Sequence, residues 1–98
     1  MKPVAYHCDA DIELVGAAKR YECQRDGLGK RFLRAVHFAL AKVQDDPERF
    51  PVYDRPVRSC RVIGFPYRVV YEELPDAIYV VAVAHMSREP GYWKHRLS

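Results

Sequence analysis

The chain has 98 residues, of which 49% are hydrophobic. This length and composition predict a single domain with one modest hydrophobic core and exclude a second domain. Its formal net charge of +3 is unevenly placed, because residues 1–54 carry nine basic and nine acidic side chains whereas residues 55–98 carry seven and four. The C-terminal part therefore has a small positive excess of the kind that favours an anionic partner.

The cysteines and the apolar pattern exclude further classes. Cys8, Cys23 and Cys60 are odd in number and unrelated in spacing, and they contain no C-x-x-C pair, so no metal site and no cofactor is predicted. The chain starts without a charged-then-apolar leader, and no apolar run approaches about 18 residues. The sequence therefore predicts a cytoplasmic protein with reduced thiols that is neither exported nor membrane-spanning.

The N-terminal part predicts a strand followed by a helix. The apolar run Val4–His7 is typical of an edge strand. Asp9 is placed to cap a helix that runs to about Arg25, and Asp11 and Glu13 add negative charge in its first turn, where the helix dipole favours it.

A second helix is predicted from Leu28 to Asp45, after a break at residues 26–29. It ends before Pro47, because proline cannot continue the hydrogen-bond ladder. A connection of a few residues makes the two helices an antiparallel hairpin. The apolar face of the second helix consists of Phe32, Val36, Ala39, Leu40 and Val43.

The remainder predicts an antiparallel sheet. The segment Glu48–Val57 contains two prolines and is interpreted as an irregular crossing. The period-two pattern then predicts a three-stranded meander at residues 58–63, 67–73 and 77–85. The predicted fold class is α+β: an N-terminal strand, an antiparallel two-helix hairpin and a three-stranded antiparallel meander, with the helices on one face of the sheet.

Alternation along the second strand of the meander assigns its two faces. Tyr67, Val69 and Tyr71 are predicted to lie against the helices. Arg68 then projects from the opposite face, which is predicted to be accessible to a partner.

The last third of the chain carries a distinctive order of motifs. An FPYRVVY run is followed by H-x-x-R-x-P-x-Y-W, which begins at His85 and ends at Trp93. With these motifs the chain resembles, over nearly its full length, the RelE/ParE superfamily of bacterial type II toxins, and most closely its ParE-like, plasmid-stabilisation branch. Further matching positions are Tyr21-Glu22, Gly27-Leu28-Gly29, Phe32, Pro47, Phe50-Pro51, Ala82-Val83-Ala84 and Arg96.

The resemblance implies a small toxin that is encoded beside the antitoxin that neutralises it. ParE-like members inhibit DNA gyrase, whereas RelE-like members enter the ribosomal A site and cleave mRNA without a metal. We expect gyrase inhibition, with ribosome-dependent mRNA cleavage as the alternative.

Metal-free RNA cleavage needs a group that accepts a proton, a cation that stabilises the crowded phosphorane and a group that protonates the leaving oxygen. The resemblance to RelE places a catalytic arginine at Arg68, one of two strand lysines at Arg61 and the tail tyrosine at Tyr92. The other strand lysine falls at Ser59 and a second catalytic arginine falls at Met86, so about half of the RelE set is present.

Two further residues complete the candidate catalytic set. Arg88 lies two positions after Met86 and is a possible but differently directed substitute for the missing arginine. His85 is a candidate base that would act with Arg68 and Tyr92, because imidazole titrates near neutral pH.

Each candidate also has a purely structural explanation. Arg68 can be a solvated sheet arginine that pairs with Glu72 on the same face. His85 can end an apolar strand by hydrogen bonding. Tyr92 and Trp93 can pack the tail over the edge of the core.

An antitoxin that is disordered before binding can add a strand to a sheet edge or lay an amphipathic helix into a groove. Arg31 also fits an ordinary solvated helix face. A stand-alone regulatory or RNA-binding module is the remaining alternative, although the sequence contains no recognisable binding motif for it. The candidate antitoxin contacts are Tyr21, Arg31, Phe38, Trp93 and Arg96.

Overall fold

The structure is a computed structural model that describes residues 1–97. Its elements, in chain order, are β1 (Val4–Tyr6), α1 (Cys8–Gln24), α2 (Leu28–Asp45), β2 (Val52–Asp54), β3 (Val57–Val62), β4 (Tyr67–Glu73) and β5 (Ile78–His85), with single 3₁₀ turns at Pro47–Arg49 and Lys94–Arg96. No helix of this described part is both long and apolar enough to cross a membrane.

The strands form one sheet in the order β1-β5-β4-β3-β2. The antiparallel meander of β3, β4 and β5 is confirmed, and β1 joins it as an edge strand parallel to β5. Both helices pack on one face of this sheet, so the predicted α+β class is confirmed.

The helix-side core follows the predicted periodicities. All five apolar positions predicted for the inner face of α2 are buried, and Tyr67, Val69 and Tyr71 meet them from β4. The two patterns, one with a helical period and one with a period of two, thus bury their apolar faces against each other.

The close approach of the two helices depends on Gly29. A Cβ atom added there would lie 2.6 Å from the backbone oxygen of Ala18, which is shorter than real contacts allow. The Glu22 carboxylate accepts hydrogen bonds from the backbone N–H groups of Gly27 and Gly29, at 2.9 and 3.0 Å. The hairpin geometry therefore depends on two features: Gly29 of α2 has no side chain and lets the helices approach, and the Glu22 carboxylate of α1 binds the connection between them.

The predicted cap of α1 is wrong by two residues. His7, with extended backbone angles, is the N-cap, and its Nδ1 accepts the N–H of Asp9 at 3.0 Å. Asp9 already lies inside the first turn, where it contributes charge rather than a cap.

The prediction of an irregular segment at Glu48–Val57 is also wrong in part, because residues 52–54 form β2. Proline is tolerated beside a strand when it does not have to donate to the ladder, and Pro51 and Pro56 flank β2 instead of interrupting it. Tyr53 packs edge-on against Trp93, with ring centroids 5.7 Å apart.

The outer face of the sheet, opposite the helices, is less accessible than predicted. The tail, residues 86–97, folds over this face and places Trp93, with 2% exposure, against Val57, Val70 and Val81. The tail shields these apolar side chains of the outer face from water, which stabilises the fold. Arg68 lies beyond this second cluster and remains partly exposed.

A bulge in β5 marks the end of the regular sheet on the β1 side. Val70 pairs with Ala82 and Tyr71 with Val80, which leaves Val81 without a partner on β4. β1 also ends here, because its last pair is Tyr6 with Val80. The rest of β5 therefore has an edge that no strand of the described chain covers.

Candidate functional site

Glu13 of α1 connects the tail to the open edge of β5. Its carboxylate accepts hydrogen bonds from the Tyr92 hydroxyl at 2.7 Å and from the Arg96 guanidinium at 3.0 and 3.1 Å. It also accepts the backbone N–H of Val83 at 3.1 Å, while Arg96 donates to the carbonyl of Val81 at 3.1 Å. The ion pair thus satisfies backbone groups that a neighbouring strand would otherwise pair.

The environment of Tyr92 disfavours proton transfer by its hydroxyl. Burial, followed by the hydrogen bond to Glu13, raises the pKa of Tyr92 above the ordinary value of 10.0. Its ring lies beneath the Arg88 guanidinium, 3.9 Å from ring centroid to carbon. The hydroxyl proton is therefore held by a carboxylate of the protein's own helix, and the phenolate form is not accessible near neutral pH.

His85 is likewise engaged in a local contact. Its Nδ1 accepts the backbone N–H of Ser87 at 3.0 Å and lies 2.7 Å from the Ser87 hydroxyl. A backbone N–H can only donate, so the neutral ring carries its proton on Nε2. His85 therefore lacks a free acceptor nitrogen in this arrangement, and the ring packs edge-on against Tyr67 at 5.0 Å.

Two clefts meet at the end of β5. The first, of about 460 Å³, lies between α1 and the sheet and is called the helix-side cleft. The second, of about 280 Å³, lies on the outer face beneath the tail and is called the outer cleft. His85, Arg88 and Tyr92 line both clefts and form the ridge between them.

Arg68 joins these three residues in the outer cleft. The alternative in which Arg68 pairs with Glu72 is not formed: within residues 1–97 the side-chain hydrogen bond of Arg68 goes to Ser59 at 3.4 Å, and one Glu72 oxygen is buried without a partner. Arg61 does not line either cleft, but it lies directly opposite Arg68 in the register of β3 and β4. The catalytic roles of all these residues stay predictions.

The candidate antitoxin contacts do not form one surface. Tyr21 lines the helix-side cleft, while Arg31 is exposed and Phe38, with 63% exposure, lies under Lys42. Trp93 is buried and the side chain of Arg96 is largely buried, so a partner would reach these two side chains after a movement of the tail. These five contacts also stay predictions.

The sequence did not identify three residues that shape the site. Glu13 was interpreted only as a charge in the first turn of α1, and its contacts lie 70 to 83 residues away along the chain. Arg20 donates to the Tyr67 hydroxyl at 3.0 Å and lines the helix-side cleft. Tyr53, in a segment without a regular pattern, lines the outer cleft.

One cluster has the composition of a metal-ligand set. Ligand atoms of His7, Cys8 and Asp9 lie within 4.8 Å of one another. The His7 Nδ1, however, already accepts the N–H of Asp9, and the positive end of the α1 dipole disfavours a cation there. The sequence-based expectation of no metal site therefore stays a prediction.

Comparison with known families decides what kind of protein this is. The family model described as the ParE toxin of the type II toxin-antitoxin system parDE matches residues 4–90. The chain belongs to the ParE toxin family. A search of curated proteins gave no match. This ParE toxin is thus the toxin of a type II toxin-antitoxin system, and the family implies a cognate antitoxin as its partner. The match covers every strand and both helices, and it ends before Tyr92.

Proposed function

We propose that this ParE toxin acts in the cytoplasm by binding and inhibiting DNA gyrase, and that its cognate antitoxin blocks this binding. The family assignment supports a toxin, and the resemblance to the ParE-like branch favours gyrase as its target. The toxin is a protein-binding inhibitor in this proposal, not a nuclease.

The hydrogen bond from Tyr92 to Glu13 carries the proposal. A metal-free ribonuclease needs groups that are free to exchange protons with the substrate, and Tyr92 is the candidate that matches the tail tyrosine of RelE. Here the hydroxyl donates to Glu13 at 2.7 Å, and burial together with that hydrogen bond raises its pKa. This geometry favours a structural role for Tyr92, as a residue that fastens the tail.

Two neighbouring positions support the same conclusion. The acceptor nitrogen of His85 is occupied by Ser87, so the second candidate for proton transfer is also engaged. Met86, which stands where RelE has its second catalytic arginine, is an apolar side chain with 41% exposure. An exposed methionine contributes to a protein interface by filling irregular gaps, but it does not stabilise a phosphorane.

The experiment is controlled expression of the toxin in bacterial cells, followed by measurement of plasmid topology and of mRNA integrity. The proposal predicts relaxed plasmid DNA at early times, while transcripts mapped by primer extension remain uncut at ribosomal A sites. Early transcript cleavage with unchanged supercoiling would instead establish the mRNA-cleaving alternative.

Co-expression with the short open reading frame beside the toxin gene is the control for specificity. If that frame encodes the antitoxin, its product should restore both plasmid supercoiling and growth. Arrest that persists in its presence would show that the neighbouring protein does not neutralise this toxin.

A further inference from the structure

Two arginines face each other on the outer surface of the sheet. Arg61 and Arg68 are direct cross-strand partners in the register of β3 and β4. Like charges placed opposite each other on adjacent strands are destabilising. In residues 1–97, no carboxylate lies within 4.0 Å of either guanidinium, although Lys2, Lys94 and Arg96 all have such partners. The free toxin thus carries a repulsive pair that a bound anion would relieve.

The outer cleft adjoins this pair. Its volume of about 280 Å³ suits one or two side chains of a bound segment. Arg68 lies at one side of the cleft and Arg88 belongs to the tail that covers it. The other lining side chains are largely apolar or aromatic, among them Tyr53, Val70 and Trp93. A ligand that fits this lining has both apolar and anionic groups.

A nucleic acid is a poorer fit than a peptide. Affinity for a phosphodiester backbone depends on many cations arranged along a path, whereas this chain has a net charge of only +3. Glu89 also lines the cleft, so a row of successive phosphates would meet a negative charge there, whereas a single carboxylate can lie on the arginine side of the cleft. An acidic side chain flanked by apolar ones can instead meet the arginines while its neighbours enter the apolar part of the cleft.

We propose that the Arg61–Arg68 pair and the outer cleft bind an acidic peptide segment that contains apolar residues. We further assign this segment to the antitoxin, an assignment that rests on the proposed function. The surface differs from the five contacts predicted from the sequence, since of those only Trp93 lines the outer cleft. Each carboxylate–arginine contact is a charge-assisted hydrogen bond, the stronger class of such bonds.

Binding in the outer cleft can be followed by tryptophan fluorescence. Trp93 is the single tryptophan of the chain and lines this cleft, so its fluorescence emission should change when a peptide binds there. The full-length toxin is titrated with a short blocked peptide of alternating leucine and glutamate. A peptide with glutamine in place of glutamate is the matched control, and a short single-stranded RNA serves as competitor. We expect saturable binding of the glutamate peptide, much weaker binding of the glutamine peptide and no displacement by RNA.

Three arginine variants locate the site. Arg61→Gln and Arg68→Gln each remove one cation of the pair, and we expect each to weaken peptide binding by roughly tenfold or more. Arg34→Gln, an identical change at an exposed position of α2, should leave the affinity unchanged. Relief of the like-charge repulsion should also raise the melting temperature of Arg61→Gln by roughly 1 to 4 °C, so that stability and affinity change in opposite directions.

Several results would overturn the inference. Equal affinity for the glutamate and glutamine peptides would show that charge is not recognised. Unchanged affinity in both Arg61→Gln and Arg68→Gln would place the binding elsewhere, and displacement by RNA would assign the arginines to nucleic acid. A lower melting temperature for Arg61→Gln would show that the pair is not repulsive. The proposed function is tested separately by supercoiling: a toxin that inhibits gyrase but ignores the peptide refutes only this inference, and the converse refutes only the gyrase assignment.

Discussion

The carboxylate of Glu13 and the guanidinium of Arg96 fasten the end of the chain to its first helix, with two N–O distances of 3.0 and 3.1 Å. Both side chains are largely buried, at 16% and 8% exposure. The pair lies at the edge of β5, where β1 has ended, and it holds the tail in place over the outer face. Stability and the shape of both clefts therefore depend on this contact.

Glu13→Ala should destabilise the protein by about 2 to 3 kcal/mol, because it removes the nearer counter-charge of the largely buried Arg96 side chain and leaves the Asp9 carboxylate, 3.8 Å away, as a weaker partner. Urea unfolding followed by circular dichroism measures this change. The matched control is Asp11→Ala, which removes an exposed carboxylate from the same helix and should cost under about 1 kcal/mol. Equal losses in the two variants would mean that the contact contributes nothing specific.

Two glycines should respond in opposite directions to the same substitution. Gly29→Ala places a Cβ 2.6 Å from the oxygen of Ala18 and should cost about 1 to 3 kcal/mol by forcing the helices apart. Gly16→Ala meets its nearest atom at 3.6 Å and should instead stabilise α1 by about 0.5 to 1 kcal/mol. Thermal unfolding of the two variants tests the hairpin packing, and a stabilised Gly29→Ala would contradict it.

Four of the seven tyrosines should lose their hydroxyl proton at a higher pH than a free tyrosine does. Burial is the largest cause of the raised pKa in each of them: Tyr6, Tyr21, Tyr71 and Tyr92. The phenolate absorbance of the folded protein should therefore rise in more than one step, whereas the urea-unfolded protein should show one step near pH 10. A single step near pH 10 in the folded state would contradict the burial of these rings.

The same shifts set the sign of the alkaline pH dependence. The folded-state pKa of each of these tyrosines lies above that of the unfolded chain, so their contribution to stability is intact below pH 10 and is lost as the pH rises above it. The unfolding free energy at about pH 11 should accordingly be lower than at neutral pH. Replacing Tyr92 by Phe should reduce this dependence, because it removes one of the late-titrating groups.

Tyr92→Phe also separates a structural role from a catalytic one. The variant keeps the ring beneath Arg88 and loses only the hydrogen bond to Glu13, at a cost of about 1 kcal/mol. Growth arrest on induction should persist if the toxin inhibits gyrase by binding, because the proposed function gives the hydroxyl no chemical role. A folded Tyr92→Phe protein that no longer arrests growth would support a catalytic hydroxyl and the mRNA-cleaving alternative.

The elements with strong local patterns were predictable from the sequence. α2 was predicted with the observed bounds because its apolar residues recur at the helical period and Pro47 ends it. The meander followed from alternation, as Tyr67, Val69 and Tyr71 show. β2 was missed because three residues between prolines form no period, and the strand is stabilised by β3 and by the contact of Tyr53 with Trp93.

The candidate site was only partly predictable. The residues of the tail and of β4 were recognised because they form consecutive motifs, and the fold does bring Arg68, His85, Arg88 and Tyr92 to one cleft. The residues that hold these side chains in place were not recognised from the sequence. The contact between Glu13 and Tyr92, for example, spans 79 residues, and no local pattern encodes it. The Val81 bulge, which directs a carbonyl to Arg96, likewise depends on strand pairing and not on residue type.

The most direct test of the central claim is a supercoiling assay with purified DNA gyrase and rising concentrations of the folded toxin. We predict that supercoiling is lost in the presence of the toxin and recovers when the antitoxin is added, while mRNA on programmed ribosomes stays intact at the same toxin concentrations. Undiminished supercoiling, together with cleavage of mRNA in the ribosomal A site, would contradict the account.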